Sequence, residues 1–244
     1  MSGAFIWIRA TLDWDAPGAR ERISPRFRPK AELWDETFNV SYTEFRAELR
    51  RIAQLSFSRV AGATVTEDWD AIPEGALVLP VDDDDWFAPE VVEVLDGLRR
   101  PDAACYRWPS TFLERPHSLG HRLYLQRRRL FPWLRPLYFC TTNNYALPKW
   151  PGSRELAERH VAASEEFDGS AAVVAVPGRL SVMNRTLASQ TSLGRFHREL
   201  TRGRLLRRYR EYSSLYEGSH PSLPAWSHEY VDRVALLMRR LEPA

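Results

Sequence analysis

The sequence predicts an α/β layer fold, and three observations carry the expectation. Short apolar runs of β-forming residues alternate along the chain with segments of helical periodicity. One run, Leu77 to Val81, stops abruptly in four consecutive aspartates, Asp82 to Asp85. A proline, Pro89, then stands where a new helix begins. An apolar strand that ends in charge is what an open α/β sheet presents at its ligand-binding edge, the carboxyl ends of its strands.

Taken in order, Phe5 to Arg9 reads as the first strand, short and rich in β-formers. Residues 13–40 carry Pro17, Pro25 and Pro29 and read as a long loop. Ser41 and Glu44 form a capping box, and Phe45, Leu49, Ile52 and Leu55 follow at helical spacing, predicting a helix over 42–56. The strand at 76–81 comes next, then a helix over 89–99 that buries Val91, Val92, Leu95 and Leu98. No strand is evident between Arg9 and Ala76.

Further strands are expected at Ala103–Trp108 and Leu137–Thr141, the latter closed by Asn143 and Asn144. Residues 110–136 read as a loop with a short helix. Ser153 is expected to cap a helix running to about Phe167. Ala171–Val176 and Leu180–Met183 read as a strand pair broken at Pro177 and Gly178. From residue 195 the chain is basic and helical. It ends in an amphipathic helix at 228–241 with the stripe Tyr230, Val231, Val234, Leu237, Met238 and Leu241.

Composition narrows the function classes. A chain of 244 residues with 44% hydrophobic and 27% charged residues can bury one sizeable core. A net charge of +2 makes no case for a nucleic-acid partner. Lys30 and Lys149 are the only lysines among 34 basic residues, so arginine serves throughout. Cys105 and Cys140 lack metal-type spacing and read as reduced thiols. His117 and His121 are four apart, but no third zinc ligand accompanies them. His160 lies on the apolar side of its helix and reads as a core histidine. No leader or membrane span is visible, so a cytoplasmic setting is expected. Gly-x-Gly-x-x-Gly, P-loop and Gly-x-Ser-x-Gly motifs are all missing.

Four carboxylates at one strand end repel each other, and a divalent cation is the simplest remedy. The segment Pro80-Val-Asp-Asp-Asp-Asp-Trp-Phe-Ala-Pro89 resembles the DxD segment of GT-A-fold glycosyltransferases, family-2-like enzymes above all. The resemblance implies a GT-A-like (Rossmann-like) α/β fold, a mixed sheet flanked by helices. It would span residues 1–194, with a basic helical extension over 195–244. It also implies a Mn²⁺ or Mg²⁺ ion on Asp82 and Asp84, bridging the diphosphate of a nucleotide sugar, with Asp82 and Asp83 on the donor side.

Other segments resemble the family more loosely. Ser164–Asp168 stands where such enzymes carry a catalytic carboxylate, making Glu165, Glu166 and Asp168 candidates for the base. In the stretch Val182–Leu193, Arg185 offers phosphate a bidentate fork, and Thr191 and Ser192 offer donors at a helix start. Thr141–Lys149 resembles the second-half strand and loop lining the acceptor side. The first-half Asp-Asp-Gly-Ser-type turn that should hold the nucleotide's base is missing, with Asp68 and Asp70 its only acidic candidates.

The expected activity is therefore metal-dependent, inverting transfer of a sugar from a nucleotide-diphosphate sugar to a glycan, lipid-linked or small-molecule hydroxyl. Arg195 to Arg210 could rest on an anionic membrane surface, making the protein peripheral there. Two alternatives stay open. A nucleotidyl- or phosphotransferase would need bases near the aspartates, and residues 77–90 hold none. A degenerate GT-A-like binding protein would explain the weak first half.

Overall fold

A computed structural model describes residues 3–9, 12–25, 27–109, 111–113, 143–167, 169–189, 200–218, 220 and 223–243. The expected strand at 137–141, the histidines at 117 and 121, and Cys140, Asp168, Thr191, Ser192, Arg195 and Arg198 lie outside the described residues.

The core is a mixed six-stranded sheet. Strands β1 (Ala4–Ile8), β2 (Ala63–Thr66) and β3 (Leu77–Val81) run parallel, with β1 in the middle of the three. Beyond β3 lie β7 (Tyr145–Pro148), β5 (Cys105–Arg107) and β8 (Val173–Ala175), giving the order β2-β1-β3-β7-β5-β8. Only β7 runs against the others. A small second sheet holds β4 (Trp86–Phe87), β9 (Ser181–Asn184) and β6 (Thr111–Leu113).

Proline in a central strand needs an explanation, because it cannot donate to the ladder. The Val81 carbonyl accepts from the Arg9 N–H at 2.8 Å, so Val81 faces β1 and Pro80 faces the other side. There β7 pairs only with Leu77 and Val78. Pro80 thus faces a stretch where no ladder bond is lost.

Helices cover both faces of the sheet. Leu77, Leu79 and Val81 alternate with Val78 along β3, the first three joining one apolar cluster and Val78 the other. The first face packs on α1 (Arg28–Thr37) and α2 (Tyr42–Ser58), and on the C-terminal helices α6 (Arg202–Tyr216) and α7 (His228–Arg239). Leu205, Tyr212, Val234 and Leu237 of those last helices belong to the same core as β1 and β3. The opposite face packs on α4 (Ser153–Glu158) and α5 (His160–Phe167). The remaining helix, α3 (Val91–Gly97), buries Val91, Val92 and Leu95.

Several expectations are corrected. Residues 28–37 form a helix rather than loop: Pro29 suits its first turn, and Ala31, Trp34 and Thr37 bury one face. Trp34 is fully buried and donates to the Val40 carbonyl at 3.0 Å. A second parallel strand does exist before Ala76, the edge strand β2, whose half-exposed Ala-Thr-Val-Thr sequence carries little apolar signal. Pro89 stands just outside α3, which starts at Val91.

The helix expected over 153–167 is two helices, broken at Arg159. Gly152, at φ +92°, is the N-cap, while Ser153 bonds Trp150 instead. Strands β8 and β9 do not pair with each other, since Pro177 and Gly178 pass the chain between sheets. Residues 145–148 form strand β7. Asn143 and Asn144, both buried, pin the two sheets by donating to the carbonyls of Val182 and Trp108, each at 2.9 Å. The Ser41 cap holds, its hydroxyl accepting from the Glu44 N–H at 3.2 Å.

Candidate functional site

The aspartates form a β-turn at the carboxyl end of β3, closed by the Asp85 N–H on the Asp82 carbonyl at 3.3 Å. The strand's alternation continues into the turn. Val81 faces α2, so Asp82 points toward α4 and α5 and Asp83 back toward α2.

Asp83 is enclosed. One carboxylate oxygen accepts from the Arg46 guanidinium at 2.5 Å and the other from the Trp14 indole at 2.7 Å. Arg46 comes from the buried face of α2, and its second terminal nitrogen donates to Asp84 at 2.7 Å. The guanidinium carbon lies 5.2 Å from the Trp14 ring centre. Side-chain exposure is 5% for Arg46, 7% for Asp83 and 10% for Asp84, so the three charges are removed from water together.

Burial works against the Arg46 charge, yet Asp83 and Asp84 hold its pKa above the ordinary value. Burial pushes the Asp84 carboxyl up to about 6; Arg46 opposes the rise, and Asp83 and Asp82 reinforce it. Burial likewise pushes the neighbouring Tyr42 hydroxyl up to about 12. That hydroxyl donates to the Ala188 carbonyl at 2.9 Å.

Asp85 is held in the other direction. Its carboxylate accepts the Asn184 N–H at 2.8 Å, and the Asn184 side-chain oxygen accepts from the Tyr216 hydroxyl at 2.6 Å. Asn184 is fully buried, and its side-chain NH₂ has no hydrogen-bond partner among the described residues.

Asp82 alone opens to solvent, its side chain 40% exposed. Arg9 follows β1 directly, abreast of Asp82, and approaches it at 3.2 Å while also donating to the Ala157 carbonyl. The break at Arg159 brings His160 to the start of α5, within the electrostatic reach of Asp82, Arg9 and Arg185. Burial first, then Arg9 and Arg185, hold its imidazole below the ordinary value against the pull of Asp82. His160 is half-buried rather than a fully buried core histidine. Arg185 follows β9, anchored by its N–H on the Leu113 carbonyl at 3.0 Å.

Of the expected site residues, the structure brings Asp82, Asp84 and Arg185 to one end of the sheet and turns Asp83 inward. Glu165 and Glu166 lie exposed on α5 and make no described hydrogen bond or ion pair. Residues not expected at the site, but found there, are Arg9, Arg46 and His160.

The carboxylates fit a divalent-metal cage poorly. Asp83 is closed on both oxygens, Asp85 is turned to Asn184, and Asp82 and Asp84 each carry an arginine. Among the described residues, no three His, Cys, Asp or Glu side chains converge as a metal-ligand group.

Asp68 and Asp70 cap the turn after β2, the Asp68 carboxylate accepting the Asp70 N–H at 2.9 Å. Glu67 pairs with Arg50 of α2. The basic face of α6 exposes Arg204, Arg207 and Arg210. No helix among the described residues is long and apolar enough to cross a membrane. No protein-family model matches the chain, and no curated protein sequence matches it.

Proposed function

We propose that the protein is a glycosyltransferase of GT-A-like fold that takes a nucleotide-diphosphate sugar as donor. One observation carries the reading: Arg9 and Asp82 pair at 3.2 Å at the carboxyl ends of β1 and β3, with His160 and Arg185 within electrostatic reach. Open α/β sheets bind ligands at that edge. The mixed sheet with helices on both faces supports the same reading.

In the proposed reaction, an acceptor hydroxyl oxygen bonds to the anomeric carbon from the face opposite the diphosphate. The bond from that carbon to the diphosphate oxygen breaks, and its electron pair leaves with the diphosphate. Arg185 and Arg9 stabilise the negative charge that develops there. The acceptor proton passes to a base on α5, the helix that carries His160, Glu165 and Glu166.

A second reading, nucleotidyl or phosphoryl transfer, is favoured by Arg9, Arg46 and Arg185, which supply in space the bases missing from residues 77–90. Calorimetric titration with a panel of nucleoside diphosphates tests the donor site. One of them should bind, and Arg185→Ala should weaken it more than about tenfold, or ~1.4 kcal/mol. Incubation with the matching nucleotide sugar then separates the readings. Sugar transfer releases the nucleoside diphosphate, while nucleotidyl or phosphoryl transfer leaves part of the nucleotide on the acceptor. Failure of every nucleoside diphosphate to bind would sink both.

A further inference from the structure

Each aspartate of the turn has a partner that belongs to the chain itself. Arg9 meets Asp82, Arg46 meets Asp83 and Asp84, and the Asn184 N–H meets Asp85. The Arg46 contact is unlike a surface ion pair. Its planar fork spans two neighbouring side chains, a geometry that lysine cannot reproduce. Its guanidinium lies 5.2 Å from the centre of the Trp14 ring, and it stands on the buried face of α2 with Tyr42, Leu49 and Ala53. Trp14 also takes the remaining oxygen of Asp83. A guanidinium does not lose its proton in a protein, so this charge is permanent.

A divalent ion at a DxD-type turn would screen the carboxylates from one another and let a diphosphate approach them. Arg46 already does the first from inside, through the Asp84 oxygen at 2.7 Å. The second falls to cations on the solvent side, Arg9 and Arg185, which share one electrostatic neighbourhood with Asp82 and His160. Resting on the transferase reading above, we propose that Arg46 is a resident counter-cation for the aspartate turn, so that the nucleoside diphosphate binds without a divalent metal. Arg46 is a positioning residue in this account, because its contacts are to Asp83 and Asp84 rather than to the ligand.

The experiment is titration of the wild-type protein with the nucleoside diphosphate that binds it, once in EDTA and once in excess Mn²⁺. The two dissociation constants should agree within about threefold, under 1 kcal/mol. Binding more than about tenfold tighter in Mn²⁺ would overturn the inference and leave the transferase reading standing. No binding in either buffer overturns both. Arg46→Gln, checked for folding by circular dichroism, adds a readout that a purely structural role would not move. It should lose affinity in EDTA and regain it in Mn²⁺, as the ion takes over the missing charge. Equal affinity of the folded variant in both buffers would count against the role of Arg46. Should the variant not fold, the two wild-type titrations decide alone.

Discussion

Arg46 meets Asp84 at 2.7 Å inside the protein, although the two residues come from the second turn of a helix and from a turn 38 positions later. Buried pairs of this kind stabilise little relative to apolar residues, but removing one partner strands the other. Arg46→Met leaves Asp83 and Asp84 without their cation. It should therefore cost about 3–5 kcal/mol of folding stability, read as a lower urea midpoint. Trp14→Phe keeps the ring under the guanidinium but removes one donor to Asp83, and should cost about 1–3 kcal/mol. A midpoint for Arg46→Met equal to that of the wild type would mean the triad is not buried as described.

Asp84 gives a pH signature whose sign is definite. Its folded pKa, about 6, lies above the ordinary value of 3.8, so the folded state binds more protons between those values. The stability contributed by its protonated form is full below the lower value and is lost as pH rises through about 6. Asp84→Asn should remove that loss. In melts from pH 4 to 7, the variant should gain on the wild type as pH rises. A variant that falls further behind with rising pH would contradict the assignment.

Asn184 and Tyr216 support the turn from behind. Tyr216→Phe removes the only described donor to the buried Asn184 oxygen, leaving it unsatisfied at a cost of about 1–3 kcal/mol. The same change should lower nucleotide affinity less than Arg185→Ala does, because Tyr216 reaches the turn only through Asn184 and Asp85. Denaturation and titration of the two variants side by side check both halves of this expectation.

His160 and the glutamates of α5 can be ranked. His160 shares the field of Asp82, whereas Glu165 and Glu166 face solvent on the same helix. His160→Asn should therefore lower kcat by more than Glu165→Gln or Glu166→Gln does, by about tenfold or more for a lost general base. The reverse order would return the base to the carboxylates.

Parts of this structure are legible in the sequence because a single strong period produces them. The stripe Phe45, Leu49, Ile52 yields α2, and the unbroken run Leu77 to Val81 yields β3, buried throughout. Helix α1 is not legible, because only Ala31, Trp34 and Thr37 bury its face, and Pro17 and Pro25 precede it while Pro29 stands in its first turn. Strand β2 lies at the sheet edge, where half-exposed residues need no apolar alternation.

The aspartates announce themselves, but their partners do not. Arg46 could have been found from its place on the buried face with Tyr42, Leu49 and Ala53, since a charge there demands an opposite charge. Arg9 becomes visible only through the register of β1 against β3. His160 depends on the helix break at Arg159, which no residue in the sequence signals.

A crystal structure of the protein with its nucleoside diphosphate decides where the ligand lies. The diphosphate should lie at the carboxyl ends of β1 and β3, within hydrogen-bond distance of Arg185. A nucleotide seated elsewhere would contradict the account. The groove of about 440 Å³ between α6 and α7, lined by Tyr216, His228 and Asp232, is one such alternative.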